Sequence, residues 1–109
     1  MNYEIEFSIQ AEADLRGIYE YIAFILLAPE NAKNQIERLE KSIMELSFMP
    51  ERFKKYEKEP WHSRNLRIMP VDNFIVFYMP NEEKGIITVI RIIYRGRNMD
   101  TELLEHTKL

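Results

Sequence analysis

The chain has 109 residues, of which 46% are apolar and 30% charged, the balance of a folded globular protein rather than a disordered one. That length predicts one domain over residues 1–109, with a core that needs no covalent staples. The absence of cysteine excludes a disulfide scaffold and a cysteine-ligated metal, and two isolated histidines do not suggest a zinc site, so we expect no cofactor.

The N-terminal residues contain neither the basic nor the apolar region of a signal peptide. The longest apolar run, from Tyr21 to Ala28, has eight residues. A membrane-spanning helix needs roughly 20. Together with the lack of cysteine, these features predict a cytoplasmic protein with no membrane partner.

The net charge is −3, but the two halves of the chain differ in sign. Residues 1–51 carry four basic and ten acidic side chains, a balance of −6, whereas residues 52–109 carry eleven basic and eight acidic, a balance of +3. A basic second half suits an acidic protein or a nucleic acid as partner. A balance of +3 gives only a weak field, however, and the two halves can equally neutralise each other across the fold.

The first half of the sequence begins with a predicted strand and helix. Tyr3, Ile5 and Phe7 alternate with polar residues over residues 2–7, as in a strand with one buried face, and Ser8 is a suitable helix N-cap. A helix over about residues 9–27 is predicted by apolar residues at spacings of three and four: Leu15, Ile18, Ile22, Ile25 and Leu26.

A second helix is predicted to follow at once. Pro29 ends the first helix because proline lacks a backbone donor, and it is also a favourable first residue for the next helix, which should end at Met49. Because only about two residues join the helices, they must fold back as an antiparallel hairpin. The second helix has an apolar stripe at Ala32, Ile36, Leu39, Ile43 and Leu46.

The second half predicts three strands after an irregular charged segment. Polar turns around Asp72 and Gly85 separate the strands, and the tail from Asp100 should either form a short helix or stay loose. The resulting order, β-α-α-β-β-β, predicts a two-layer α+β fold in which the helix hairpin packs on a small, mostly antiparallel sheet. The first strand should pair with the last or lie at an edge. The three strands are predicted over residues 65–69, 74–79 and 86–94.

Two stretches resemble the RelE/ParE superfamily of toxins from bacterial type II toxin–antitoxin systems, a family that includes plasmid stabilisation proteins. AEADLRGIYEYIA, residues 11–23, is similar to the first helix of that family, in which a small residue and an Asp-Leu pair precede an Ile-x-x-Tyr-Ile step. RNLRIMPVDNFIVFYMPNEEKGIITVIRIIYRGRNMD, residues 64–100, is similar to its sheet, with a Phe-Tyr strand, an acidic turn and a last strand that ends in basic residues. The likeness covers nearly the whole chain, and it depends on the ordered sum of these features.

The resemblance implies a toxin that a cognate antitoxin holds inactive by wrapping its surface, and that arrests growth when free. Two different targets occur on this fold. Some members cut messenger RNA in the ribosome, and others inhibit DNA gyrase without cutting anything. The fold alone does not choose between these targets.

Under the nuclease alternative, cleavage at a 2′-hydroxyl needs a base, an acid and a group that stabilises charge on the phosphate. Arginine suits the last role because its planar fork matches phosphate oxygens. The proton-transfer candidates are Tyr94 and His62, and we expect all the candidates to gather on the open face of the sheet. The phosphate candidates are Arg64, Arg67, Arg91, Arg95 and Arg97, and the further proton-transfer candidates are Lys54, Lys55 and Lys58.

Each candidate also has an ordinary structural interpretation. Arg67 and Arg91 lie in predicted strands, where they can pair with a carboxylate from the acidic half of the chain. Tyr94, at a strand end, is typical of a packed ring with a hydrated hydroxyl. His62 follows Trp61 in a loop and is typical of a surface residue.

The sequence departs from the pattern of the RNA-cutting members. The resemblance implies an arginine directly after the aromatic residue of the turn, but Phe74 is followed by Ile75, and only Arg97 matches a basic residue of those members. A sequence pI near 5.5 does not suit ribosome binding, and the long helix hairpin resembles the gyrase-directed branch. We therefore predict a ParE-like gyrase inhibitor that is not an enzyme. A RelE-like ribosome-dependent mRNA endoribonuclease is the alternative, and a non-toxic interaction protein of the same fold is the third hypothesis.

The basic strand ends are therefore predicted to bind a partner. The expected ligand is the acidic or amphipathic C-terminal segment of an antitoxin, lying across the sheet or in the groove beside the helices. The predicted partner-binding residues are Arg64, Arg67, Arg91, Tyr94, Arg95 and Arg97.

Overall fold

The computed structural model describes residues 2–107 and has the predicted β-α-α-β-β-β order, followed by a final helix. Of the two alternatives for the tail, the short helix is therefore confirmed, although residues 108 and 109 lie outside the described part of the chain. The strands are β1 (Glu4–Phe7), β2 (Arg67–Val71), β3 (Phe74–Asn81) and β4 (Ile86–Tyr94), and the helices are α1 (Ile9–Glu20), α2 (Pro29–Glu45) and α3 (Met99–Glu105).

The four strands form one sheet in the order β1-β4-β3-β2. The pairs β2–β3 and β3–β4 are antiparallel, whereas β1 lies parallel to β4, from which it is separated in sequence by the helix hairpin and the two other strands. The prediction that the first strand pairs with the last is confirmed. A register shift between Phe77 and Tyr78 interrupts the β3–β4 ladder near the middle of the sheet.

The helix hairpin follows the predicted signals, with one local difference. The side chain of Ser8 accepts a hydrogen bond of 3.0 Å from the backbone N–H of Ala11, and Pro29 occupies the first turn of α2. The predicted continuous helix over residues 9–27 instead changes after α1 into a π-helical turn, Tyr21–Ile25. Leu27 then adopts a left-handed backbone with φ of 55°, which turns the chain toward α2. No helix within residues 2–107 is long and apolar enough to cross a bilayer.

One face of the sheet packs against α1 and α2, as predicted. The buried core there includes Leu39 and Ile43 from α2, Leu46 directly after it and, from the sheet, the fully buried Tyr78 and Val89. The hydroxyl of Tyr78 donates a hydrogen bond of 2.8 Å to the carbonyl of Pro50. Burial of this ring raises the pKa of Tyr78 to about 12, because desolvation disfavours the phenolate.

The prediction that the site residues gather on an open second face of the sheet is wrong. The irregular segment before β2 and helix α3 fold over that face and bury a second apolar cluster. Trp61, Leu66 and Leu103 pack there against Phe77 and Ile93 of the sheet. Burying these side chains removes a large apolar area from water, and this gain outweighs the lack of regular structure in the segment.

Candidate partner-binding site

Arg91 is buried and fully engaged within the protein. Its Nε donates to Oδ2 of Asp14 at 2.7 Å and its Nη2 to Oδ1 at 3.1 Å, a two-pronged pair between β4 and α1. Only 8% of the Arg91 side chain and 16% of the Asp14 side chain are exposed. The interpretation that Arg91 pairs with a carboxylate from the acidic half is therefore confirmed.

The same pair also connects the strand to the C-terminal segment. Asp14 Oδ2 accepts a further hydrogen bond of 2.8 Å from the backbone N–H of Ile92. On the other side, Arg91 Nη1 donates to the carbonyl of His106 and to the hydroxyl of Thr107, both at 3.0 Å. Each nitrogen of the guanidinium thus has a partner within the chain, so Arg91 has no free pair of N–H donors with which to bind a phosphate.

Arg67 is held mainly by backbone carbonyls. Its Nη1 donates to the carbonyl of Phe53 at 2.7 Å and to that of Glu51 at 3.3 Å. The Glu51 carboxylate lies 3.9 Å from Nη2, beyond hydrogen-bond distance, so the predicted carboxylate pairing is weak. The buried Nε of Arg67 has no hydrogen-bond partner within the described part of the chain. Arg67 therefore fastens the irregular segment to β2.

The other basic candidates lie on that irregular segment. His62 and Arg64 are exposed, and the Arg64 guanidinium lies over the ring of Trp61, 5.6 Å from its centroid. Lys58 pairs with the carboxylate of Asp100 in α3. These residues lie on the layer that covers the second face, and they are not part of the exposed cluster at the end of β4.

The end of β4 presents the remaining predicted residues to solvent. Tyr94, Arg95 and Arg97 are all exposed, and the Tyr94 ring packs edge-to-face on Phe74 with centroids 5.9 Å apart. The ring also lies against Gly96, where an added Cβ would come within 2.5 Å of Tyr94 Cε2. Arg97 Nη1 donates to Glu102 Oε1 at 3.1 Å, but 62% of the Arg97 side chain stays exposed.

A groove of about 610 Å³ runs between the helix hairpin and the ends of β3 and β4. Tyr94 and Arg97 lie on its sheet side, and Arg91 contributes to its wall. His62, Arg64 and Arg67 are not among the residues that line it. The hairpin side is formed by residues that sequence reasoning did not identify: Ala13, Asp14, Gly17, Ile18, Tyr21, Ile22, Leu26 and Gln35.

At the β2–β3 turn, a polar contact ties the sheet side of the groove to the hairpin side. Asp72 Oδ2 accepts hydrogen bonds from Arg38 Nε at 2.8 Å and from Gln35 Nε2 at 2.9 Å, so the turn is tied to α2. The hydrogen bonds from Arg38 and then Gln35 lower the pKa of Asp72. No cluster of three histidine or acidic side chains with metal-binding geometry occurs in residues 2–107.

The arrangement of strands and helices matches solved toxin structures of low sequence identity. The chain shares 19% identity and a TM-score of 0.69 with a chain of the chromosomal ParDE toxin–antitoxin system of P. aeruginosa, over 84% of this chain and 95% of that one. The chain shares 18% identity and a TM-score of 0.63 with the RelBE2 complex of Mycobacterium tuberculosis, over 87% of this chain and 100% of that one. With the archaeal RelE–RelB complex of Pyrococcus horikoshii the identity is 19% and the TM-score 0.60, over 90% of this chain and 100% of that one. These similarities establish the RelE/ParE fold.

The family model described as ParE toxin of type II toxin-antitoxin system, parDE, matches residues 5–99, from β1 to the start of α3. No curated protein matches the chain. Because the match covers most of the sequence, the chain belongs to the ParE toxin family of type II toxin–antitoxin systems. The resemblance found in the sequence is thereby confirmed.

Proposed function

We propose that this chain is neutralised by a cognate antitoxin, that it arrests growth when free, and that it acts by binding and inhibiting DNA gyrase rather than by cutting RNA. The family assignment and the solved ParDE and RelBE2 systems support an antitoxin partner. The match to a ParE family model supports the ParE-like branch, for which the resemblance implied gyrase as target. The chain is then a binding protein and not an enzyme.

The observation that carries this proposal is the state of Arg91. A ribonuclease needs a guanidinium or ammonium group free to meet the extra charge that develops on the phosphate. Arg91 already contacts Asp14 and the carbonyl of His106, and releasing it would leave the largely buried Asp14 carboxylate without its counter-charge. Of the other candidates for nuclease chemistry, His62 and Arg67 do not line the groove that contains Tyr94, and Arg97, which does, already donates to Glu102 Oε1.

The groove has the chemistry to accept an amphipathic antitoxin segment. Ile18, Ile22 and Phe74 provide apolar wall, and Arg97 adds an exposed guanidinium at the rim. An apolar stripe on the partner would fill the wall, and an acidic residue would reach the rim, which is the usual pattern of helix-in-groove recognition. Tyr94, half exposed and packed on Phe74, offers a rigid aromatic contact.

The test compares the two targets directly. Purified chain is added to DNA gyrase and relaxed plasmid, and in parallel the chain is induced in cells while DNA synthesis, translation and ribosome-bound messenger ends are followed. Inhibited supercoiling and an early stop in DNA synthesis with intact messages are expected. New messenger ends at codon positions, with translation falling first, would instead establish the nuclease. Growth unchanged by abundant folded protein would leave only the non-toxic interaction protein.

A conservative variant separates binding from proton transfer at the groove. Tyr94→Phe keeps the ring but removes the hydroxyl, so a binding surface should retain most of its activity. A tyrosine that moves a proton in catalysis contributes on the order of 10²–10⁴ in rate, and its loss would abolish toxicity. Retained growth arrest by the Tyr94→Phe variant is the expected outcome.

A further inference from the structure

The two outer edges of the sheet differ in how they are protected. At the β2 edge, the backbone of Lys54 accepts a hydrogen bond of 3.1 Å from Ile68, and Leu66 accepts one of 2.8 Å from Tyr56. Because backbone groups alternate in direction along a strand, Pro70 occupies the next outward position after Ile68. Proline has no N–H to offer a further strand. The β2 edge is therefore paired at its start and blocked at its end.

The β1 edge is paired at its start, where the backbone N–H of Tyr3 donates to the carbonyl of Ser47 at 3.0 Å, but it has no blocking proline. Glu4 donates its backbone N–H to Gly85 at 2.8 Å, and Ser8 donates to Val89 at 2.9 Å, so these residues face inward to β4. By the same alternation, the backbone N–H and C=O groups of Ile5 and Phe7 face outward. In the described sheet no strand lies beyond β1, so these groups form an open template for one more strand.

The side chains at this edge define the partner. Glu4 and Glu6 are exposed and share one face of the strand, whereas Ile5 and Phe7 are partly buried on the other face against the helix-side core. A second copy of this chain, pairing through its own β1, would bring carboxylates opposite carboxylates, which is unfavourable. A strand that alternates basic and apolar residues would instead pair with the glutamates on one face and extend the apolar core on the other.

We propose that the outer edge of β1 binds an extended segment of the antitoxin in which basic and apolar residues alternate. The inference rests on the proposed function only in naming the antitoxin as the source of that segment. Main-chain hydrogen bonds to Ile5 and Phe7 provide the binding, and Glu4 and Glu6 provide the selectivity. This edge is separate from the groove, so the partner contacts two surfaces of the chain.

The first test uses a synthetic probe with the full chain. A blocked six-residue peptide of alternating lysine and valine is titrated against the protein, and the amides of Ile5 and Phe7 are followed by NMR and hydrogen exchange. Both amides should shift and exchange more slowly, while a peptide of alternating glutamate and valine should not bind. The double variant E4K/E6K should lose about tenfold in affinity for the lysine peptide. The matched control E12K/E20K makes the same charge change on exposed positions of α1 and should not.

A second probe tests the backbone pairing itself. Two versions of the lysine–valine peptide carry N-methyl groups, one on every lysine amide and the other on every valine amide. Only one set of amides faces β1, so one version should lose binding and the other should retain it. Loss on methylating the valines indicates an antiparallel strand, because directly opposed residues share a face and exchange hydrogen bonds. Loss on methylating the lysines indicates a parallel one.

The outcomes separate this inference from the proposed function. If neither peptide binds, or if both methylated versions bind equally, the edge proposal is overturned and the short acidic strand only prevents aggregation. Gyrase inhibition and antitoxin neutralisation are measured independently and would stand. If the edge binds the lysine peptide while the chain arrests no growth and inhibits no gyrase, the edge proposal holds and the toxin mechanism fails.

Discussion

Arg91 and Arg97 lie six positions apart near the end of β4, yet their roles in the structure are opposite. Arg91 is 7% exposed, pairs with Asp14 and holds the C-terminal segment through its carbonyls. Arg97 has 62% of its side chain exposed and touches one carboxylate, that of Glu102. The first guanidinium stabilises the fold, and the second is available to a partner.

This difference shows that residue type and sequence position do not define a basic site. A guanidinium can bind a new anion only if its donors are free or exposed, and a buried pair opposes this because separating it leaves two uncompensated charges. Tyr94 and Arg97 meet the condition and line the groove, whereas Arg91 does not. The predictions below test this contrast, starting with the largest effect.

Removing the carboxylate that pairs with Arg91 should strongly destabilise the protein. Asp14→Ala leaves a buried guanidinium without its counter-charge and the Ile92 N–H without its acceptor. We expect a loss of about 3–5 kcal/mol in the free energy of unfolding, measured by urea denaturation. The double variant Asp14→Ala/Arg91→Met should lose less than the sum of the two single changes. A loss under about 1 kcal/mol for Asp14→Ala would mean that Arg91 is not a structural anchor.

Truncating the exposed arginine should affect binding and not stability. Arg97→Ala removes a largely solvated contact, so the free energy of unfolding should change by less than about 1 kcal/mol. The affinity of the variant for the cognate antitoxin should fall about tenfold, measured by titration calorimetry. Arg16→Ala, at an exposed position of α1 outside the groove lining, is the matched control and should bind normally. Equal losses for both variants would indicate a general charge effect.

Gly17, which lines the groove, and Gly96, which lies against the Tyr94 ring, should respond differently to alanine. At Gly17 a Cβ meets nothing within 4 Å, so Gly17→Ala should stabilise α1 by about 0.5–1 kcal/mol through helix propensity. At Gly96 the Cβ comes within 2.5 Å of Tyr94 Cε2, so Gly96→Ala must displace that ring from Phe74. Thermal unfolding measures the first effect, and aromatic NMR shifts of Phe74 report the second. Unchanged shifts in Gly96→Ala would show that the ring does not rest on the glycine.

The smallest expected effect is on acid stability at the edge of the groove. Hydrogen bonds from Arg38 and Gln35 lower the pKa of Asp72 below its ordinary value of 3.8. The folded state therefore gains stability from the ionised carboxylate above that pH and loses it as the pH falls through the lower folded pKa. Asp72→Asn should flatten the pH dependence of unfolding below pH 3.8 while leaving its form at neutral pH unchanged. If the Asp72→Asn variant lost stability at acid pH in the same way as the original chain, the contact between Asp72 and α2 would not form in solution.

Local patterns predicted most of the secondary structure. Alternation and helical spacing each act over a few residues, and they placed β1, the hairpin and the three later strands within a few positions of their ends. The layer over the second face was missed, because Trp61 is an isolated apolar residue in an irregular segment and Leu66 falls within a predicted strand, so neither indicates a covering layer. Their burial depends on the position of α3, which local sequence does not report.

By itself, the sequence determined the order of the elements, the antiparallel helix hairpin and the family, because these depend on local periodicity, on helix-ending residues and on ordered motifs. Only the tertiary structure decided which basic residues are free. Asp14 lies 77 positions from Arg91, and no local pattern reports a pair formed at that separation. The groove has the same origin, since its residues come from distant parts of the chain and meet only when the helix hairpin packs on the sheet. The position of β1 at an edge likewise depends on its pairing with the distant β4.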